Sequence, residues 1–188
     1  MNAFSKFVAT RRATGIIWLA LRLLLAYEWL SAGLEKVQEA AWVGDKVPAG
    51  IHGFLAGAVA KAGGEHPAVF GWYADFIKNF ALPNEHLFSY MVAYGEVLVG
   101  LALLVGIFTK WAAFWGGIMN LAFLLAGSTS ANGYMLMMEA AMVFGGLGVS
   151  FYGLDTFVLP YLKKVLSERT HHEVRPTPTL KPGSAAVH

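Results

Sequence analysis

The sequence predicts an all-α integral membrane protein, an up-and-down bundle of four transmembrane helices with amphipathic interfacial helices in a long first loop outside the membrane. Three observations predict this fold. Of 188 residues, 56% are hydrophobic and 14% charged; four apolar segments are long enough to cross a hydrocarbon core of about 30 Å; and the last three segments follow one another closely. The expected partner is therefore the lipid bilayer.

The four predicted spans are residues 14–35, 87–108, 111–127 and 133–152. They follow an N-terminal segment, residues 1–13, whose Lys6, Arg11 and Arg12 precede the first apolar run. That run is too long for a signal peptide and has no small-residue cleavage site, so we expect it to remain as a helix. Short connections at Thr109-Lys110 and at residues 128–132 make neighbouring spans antiparallel.

Basic residues outside the spans predict the orientation. Three precede the first span, one lies between the second and third, and five follow the fourth, whereas the long first loop has four spread over some 50 residues. The positive-inside rule therefore places both termini in the cytoplasm and the loop outside a cytoplasmic membrane.

The first loop, residues 36–86, contains two apolar stripes at helical spacing. The first begins after Pro48, and the second follows Pro67 and stops before Pro83. The members are Ile51, Phe54, Leu55, Ala58 and Val59, and then Val69, Trp72, Tyr73, Phe76, Ile77 and Phe80. Both are too short to span, so we expect them to lie flat at the interface and roof the bundle, as a surface anchor or as a functional lid.

Residues 153–188 are predicted to be a basic amphipathic segment followed by a disordered cytoplasmic tail. After Pro160, apolar Leu162, Val165 and Leu166 alternate with Lys163 and Lys164, which suits the anionic inner leaflet. Beyond residue 171 the chain is rich in proline and small polar residues.

Apart from Glu35 at the very end of the first span, five ionisable or amide side chains fall inside the predicted spans: Arg22, Glu28, Glu96, Asn120 and Glu139. A charge at a helix centre costs about 2.5–3.5 kcal/mol on insertion scales, so each should face the bundle interior. At about 1.5 Å per residue, the three glutamates and the asparagine form one layer in the outer half, with Arg22 about 9 Å deeper and within reach of Glu96.

Residue spacing predicts which face of the first helix points into the bundle. Glu28, Ser31 and Glu35 occupy one face of the first helix, which we expect to point inward. The aromatic residues near the predicted interfaces are expected to form belts at the bilayer surface. They are Trp29, Trp42, Trp72, Trp111 and Tyr134.

The spans contain three deep carboxylates and only one guanidinium, and surplus negative charge is unfavourable in a low dielectric. At least one carboxylate is therefore expected to be protonated at neutral pH. Such a group suits proton handling, and a pocket of apolar helices with convergent polar groups could hold a quinone headgroup. The same residues could instead lock helix packing through a satisfied polar network. An ion or solute pathway is a third interpretation, although no pair of interrupted helices accompanies it.

Other chemistries find little support. The chain has no cysteine, which removes thiol nucleophiles and iron–sulfur ligation. Its six histidines lie outside the predicted spans, which argues against bis-histidine haem, and the spacing of His52, His66 and His86 matches no metal-ligand motif. No covalent or metal cofactor is indicated. A net charge of +2 without a basic, aromatic-interleaved run argues against nucleic acid.

Two motifs resemble a known family. The first is Arg22-Leu-Leu-Leu leading to Ser31-Ala-Gly-Leu-Glu-Lys36, and the second is Tyr94-Gly-Glu96 followed by the run from Gly100 to Lys110. Over residues 14–152 the chain resembles the DoxX/DoxD family of four-helix membrane proteins. Its long first loop is more similar to the DoxD branch, the membrane subunit of thiosulfate:quinone oxidoreductase.

The resemblance implies a membrane subunit of a quinone-linked oxidoreductase, with quinone as the cofactor and a second subunit of a redox complex as partner. In the leading hypothesis Glu96 and Glu139 handle protons, Arg22 orients or charge-balances them, and Asn120 hydrogen-bonds a quinone headgroup. These four residues and Glu28 form the expected cofactor-binding set. The alternatives are a non-catalytic scaffold for a redox partner, or a small solute transporter. Whether the chain is itself an enzyme, and whether it forms a homo-oligomer, stays open.

Overall fold

The computed structural model describes residues 11–44, 48–146 and 148–173, and within that part of the chain all regular structure is helical. The N-terminal ten residues and the tail after residue 173, predicted to be disordered, lie outside the described residues. In chain order the α-helices are α1 Arg11–Gln38, α2 Ala49–Ala60, α3 Gly71–Phe76, α4 Glu85–Val105, α5 Thr109–Leu125, α6 Asn132–Phe144 and α7 Asp155–Glu173.

Two helical stretches are long and apolar enough to cross a membrane. Thr14–Gln38 has 25 residues with a mean hydropathy of 1.4, and Gly71–Val105 has 35 residues with a mean hydropathy of 1.8. The first corresponds to the predicted span 14–35. The second contains residues 87–105 of the predicted span 87–108, together with most of the second loop stripe.

The second stripe is therefore not a separate helix, contrary to the prediction, and its position at the membrane interface stays a prediction. A π-helical turn, Ile77–Ala81, and a 3-10 turn, Leu82–Asn84, join α3 to α4. Pro83 sits in the first turn of the 3-10 segment, where a missing N–H breaks no helical hydrogen bond. The proline therefore changes the type of helix without ending it.

The last predicted span, 133–152, is wrong in its extent. Helix α6 has 13 residues and ends at Phe144, giving a length of about 20 Å, short of the roughly 30 Å hydrocarbon core. Gly145 adopts an extended conformation with ψ of 153°, and residues 148–154 form turns. Because Gly145, Gly146 and Gly148 cluster there, the helix has weak propensity to continue. Passage of all four helices through a bilayer stays a prediction.

Four helices contact one another in a closed ring. Helix α1 packs along α4, α4 against α5, α5 against α6, and α6 against α1. Their shared core contains Leu25, Trp29, Val99, Leu103, Ala113 and Met142. Glycines allow the closest crossing: a Cβ on Gly33 of α1 would lie 2.7 Å from the backbone nitrogen of Val97 on α4.

Helix α2 and the turn after α3 form a second, smaller core. The buried face of α2 is Ile51, Leu55 and Ala58, which packs with Ile77, Ala81 and Ala126. Because Ala126 follows the last residue of α5, α2 lies over the end of the bundle at which α5 finishes. That end carries the candidate site.

Residues from Phe157 onward form a separate compact unit. Within it α7 remains helical to Glu173, and Ser167 Oγ donates a hydrogen bond of 2.8 Å to the Lys164 carbonyl oxygen. The helix predicted to begin after Pro160 starts five residues earlier, at Asp155.

Candidate functional site

A partly buried ion pair joins α1 to α4. Lys36 Nζ lies 2.8 Å from Glu96 Oε2, and Glu96 is 2% exposed. Lys36 also donates to the Ala32 carbonyl oxygen at 3.3 Å and sits 5.2 Å from the centre of the Trp42 ring. The absence of a side chain at Gly33 brings the two helices close enough for this pair, since a Cβ there would meet Glu96 Cβ at 2.9 Å.

A second buried carboxylate ties three helices together. Trp29 Nε1 of α1 donates to Glu139 Oε1 of α6, and Asn120 Nδ2 of α5 donates to Glu139 Oε2, both at 2.8 Å. Asn120 and Glu139 are fully buried. Gly116 leaves room for the cluster, because a Cβ there would lie 2.6 Å from Glu139 Oε1.

One acceptor in this cluster has no partner. Within the described part of the chain, no hydrogen-bond donor reaches Asn120 Oδ1, although the atom is inaccessible to solvent. Buried polar atoms are nearly always hydrogen-bonded, since leaving one unsatisfied costs about 1–3 kcal/mol. The unpartnered oxygen is therefore a candidate acceptor for an O–H or N–H group that comes within hydrogen-bond distance of it.

The two clusters open onto one cavity of about 290 Å³, near the lower end of the roughly 300–1,000 Å³ typical of small-molecule sites. Its polar lining comes from Lys36, Glu96, Asn120 and Glu28, with Trp29 beside them. Glu28 Oε1 accepts a hydrogen bond of 2.7 Å from the Tyr134 hydroxyl. The structure thus brings three of the predicted site residues, Glu28, Glu96 and Asn120, to one cavity, with Glu139 bonded to Asn120.

Arg22 is not part of this cavity, and its expected pairing with Glu96 is wrong. Its Nη2 donates to the Tyr152 carbonyl oxygen at 2.7 Å, and it interacts electrostatically with Asp155. The guanidinium packs against Gly106 and Gly153. Arg22 lies fourteen residues before Lys36 on one helix, about 21 Å along its axis, which places it towards the opposite end of the bundle.

Asp155, which the sequence reasoning had not singled out, completes the arginine cluster. Its Oδ1 and Oδ2 accept hydrogen bonds from the backbone nitrogens of Phe108 and Thr109, at 2.6 and 2.9 Å. These are orphan donors at the start of α5, so the carboxylate caps that helix. Arg22 and Asp155 therefore fasten the turns after α6 to the α4–α5 connection.

The sequence-based prediction did not identify two further site residues: Lys36, the ion-pair partner of Glu96, and Trp29, a hydrogen-bond donor to Glu139. A signal for both was present, because Arg22, Trp29 and Lys36 recur every seven residues and so share one helix face. On the face expected to point inward, Ser31 and Glu35 are exposed, and only Glu28 lines the cavity. Trp29 is 2% exposed and does not belong to an aromatic belt.

The histidines contribute no metal centre within the described residues, where no group of three His, Cys, Asp or Glu side chains could hold an ion. His52 Nδ1 instead lies 2.7 Å from Glu85 Oε2, joining α2 to the start of α4. This pair lies outside the cavity lining and provides a useful control.

Comparison with known proteins gives one result that bears on identity. The model of the DoxX family matches residues 17–129, more than half of the chain, and this region includes Trp29, Lys36, Glu96 and Asn120 but not Glu139. No curated protein and no solved structure matches the chain. On the strength of the family match and its long apolar helices, the chain is a membrane protein that belongs to the DoxX family.

Proposed function

We propose that this chain is the quinone-reactive membrane subunit of an oxidoreductase, with the headgroup bound in the 290 Å³ cavity between Lys36 and Asn120. The observation that supports it best is the pairing of a cationic donor with a buried, unpartnered acceptor at one cavity. A quinone has carbonyl oxygens that need donors, and its reduced form has hydroxyl groups that need acceptors. The cavity offers one of each.

In this proposal the residues have roles that differ from those in the sequence-based hypothesis. Lys36 donates a hydrogen bond to a carbonyl oxygen, while Glu96 beside it holds and returns a proton. Asn120 Oδ1 accepts from a hydroxyl. Glu139 holds the amide of Asn120 in place through its Oε2 and is itself held by Trp29. When bound, the quinone supplies the two-electron acceptor.

We propose that the electron donor is oxidised on another subunit, since the sequence offers neither a thiol nor cysteine ligands for an iron–sulfur cluster. We infer a second subunit that delivers electrons to the cavity, in a cytoplasmic membrane with both termini of this chain inside. Thiosulfate is the proposed donor. Its support is the similarity of the first loop to the DoxD branch.

A non-catalytic scaffold for a redox partner is the competing function, and one observation favours it. Both oxygens of Glu139 are satisfied by side chains from two other helices, as expected of a group that locks packing. In that function the cluster stabilises the bundle, and the partner alone carries the chemistry.

Purification from native membranes in a mild detergent, followed by solvent extraction, separates the two functions. The proposed function predicts that quinone copurifies with the chain and is reduced when thiosulfate and the partner subunit are supplied. A stoichiometric partner without bound quinone, and no reduction of added quinone, would establish the scaffold instead.

A further inference from the structure

A second cavity adjoins the polar one. It is a groove between α4 and α5 of about 590 Å³, twice the volume of the polar cavity. Its lining includes Leu98, Ala102, Trp111, Trp115 and Ile118, and it contains no charged side chain. Leu98, Trp111 and Trp115 are more than half exposed, so the groove opens on the outer surface of the bundle.

Two side chains, Val92 and Phe123, line both cavities and so form the wall between them. Val92 lies one turn before Glu96 on α4, and Phe123 lies one turn after Asn120 on α5. The ring of Phe123 meets that of Phe54 on α2 edge to face, with centroids 5.8 Å apart. This part of the wall is made of side chains, which change rotamer without moving a helix.

The polar groups lie directly behind this wall. Asn120, with its unpartnered oxygen, is three residues from Phe123, and Glu96 is four residues from Val92. Residues three and four apart are neighbours on a helix face. A molecule bonded to Asn120 Oδ1 therefore has the apolar groove within one helical turn of its polar end.

We propose that the ligand of the polar cavity is an amphiphile, a quinone with a long hydrocarbon tail, whose tail passes between Val92 and Phe123 and lies in the α4–α5 groove. The inference rests on the proposed function for the identity of the headgroup and adds the path of the tail. We favour a tail covalently joined to the headgroup as the occupant of the groove, because the groove and the polar cavity share Val92 and Phe123 in their linings. A separate lipid acyl chain is the rival occupant.

The first experiment measures equilibrium binding to the full chain in nanodiscs with three probes. These are a long-tailed quinone, the same quinone without a tail, and an alcohol with the tail alone. Gly95→Leu fills the groove, because a Cβ there meets the flexible end of Met119 at 3.4 Å and Gly95 does not line the polar cavity. Gly57→Leu on α2 is the matched control, with open space around it.

We expect the long-tailed quinone to bind the wild type more tightly than the tail-less one. Gly95→Leu should weaken binding of the long-tailed quinone about tenfold, ~1.4 kcal/mol, and leave binding of the tail-less quinone unchanged. Gly57→Leu should change neither. Equal binding of the two quinones to the wild type would overturn the tail path while leaving the proposed function intact. If neither quinone binds, both proposals are wrong.

Photolabelling with a reactive group at the tip of the tail provides a second readout, independent of how Gly95→Leu folds. Labels should concentrate on α4 and α5 peptides around Ala102 and Trp115, and Trp115→Ala should disperse them. If the tail-only alcohol labels the same peptides as strongly as the quinone does, the groove holds lipid chains and the proposal is refuted.

Discussion

Gly116 offers a sharp test of the Glu139 cluster, because a single methyl group there collides with it. A Cβ at Gly116 would lie 2.6 Å from Glu139 Oε1 and 3.1 Å from Trp29 Nε1. Ordinary van der Waals contact begins at 3.4 Å, so the carboxylate must retreat by about 0.8 Å, the difference between these distances. A hydrogen bond that starts at 2.8 Å does not survive such a displacement.

The expected cost follows from three terms. Overpacking contributes about 1–3 kcal/mol, and loss of an interhelical hydrogen bond within a membrane about 0.5–2 kcal/mol. Alanine recovers about 1 kcal/mol of helix propensity relative to glycine. Gly116→Ala should therefore destabilise the bundle by about 2 kcal/mol, as the net of these terms.

Gly117→Ala is the matched control, since its Cβ meets Leu136 and Glu139 at 3.6 and 3.7 Å, which is ordinary contact. It should leave stability unchanged or raise it by up to about 1 kcal/mol. The assay is reversible unfolding of the reconstituted protein in increasing SDS. Equal stability of the two variants would refute the described arrangement of Trp29, Gly116 and Glu139.

Two other substitutions test the helix contacts that position the site. Gly33→Ala places a Cβ 2.7 Å from the backbone nitrogen of Val97, which must yield by separating α1 from α4, and should cost about 1–3 kcal/mol in the same unfolding assay. Asp155→Ala removes the acceptor of the backbone N–H groups of Phe108 and Thr109 and the negative charge that interacts with Arg22. It should lower the free energy of unfolding by about 2 kcal/mol in the same assay.

Matched controls exist for both. Gly53→Ala on α2 introduces a Cβ into open space and should be neutral or mildly stabilising. Thr156→Ala removes an exposed hydroxyl that donates to the carbonyl oxygens of Phe151 and Ser150, at 2.8 and 3.0 Å. It should change the free energy of unfolding by less than about 1 kcal/mol. A Gly33→Ala or Asp155→Ala protein as stable as its control would contradict the corresponding contact.

The sequence alone predicted the features that depend on a single segment, namely the positions of long helices and the burial of polar side chains. Apolar length located α1 and most of α4. The high cost of charge in hydrocarbon correctly placed Glu96, Asn120 and Glu139 in the interior. Counting residues along each helix then brought Glu96 and Asn120 to one cavity with Glu28.

The sequence alone did not predict contacts that depend on how two helices are rotated relative to one another. Glu96 has two possible cations on α1, Arg22 and Lys36, and axial distance alone did not distinguish them. The choice depends on close approach at Gly33 and on the alternative partners that Tyr152 and Asp155 offer to Arg22. Neither is visible from a single helix.

Helix boundaries at glycine and proline were the other source of error. Pro83 was expected to end a helix, but a preceding π-helical turn places it at a position that needs no N–H donor. The glycines after Phe144 were expected to pack within a span, but Gly145 leaves the helix in an extended conformation. In both cases the apolar pattern continues through the irregularity, so hydropathy does not reveal it.

The ion pair of Lys36 and Glu96 provides the most direct test that the polar cavity binds a quinone headgroup. Replacing both residues with methionine keeps their approximate volume and leaves no buried charge unpaired, so the fold should survive. The pair of His52 and Glu85, replaced together by glutamine, is the control outside the cavity.

The measurement is the dissociation constant of a short-tailed quinone for the wild type and both double variants in nanodiscs. A hydrogen bond from a charged donor is worth about 1.5–3 kcal/mol, so the double-methionine variant should bind roughly 10–100-fold more weakly, and the glutamine control as tightly as the wild type. Unchanged affinity in a folded double-methionine variant would contradict the account.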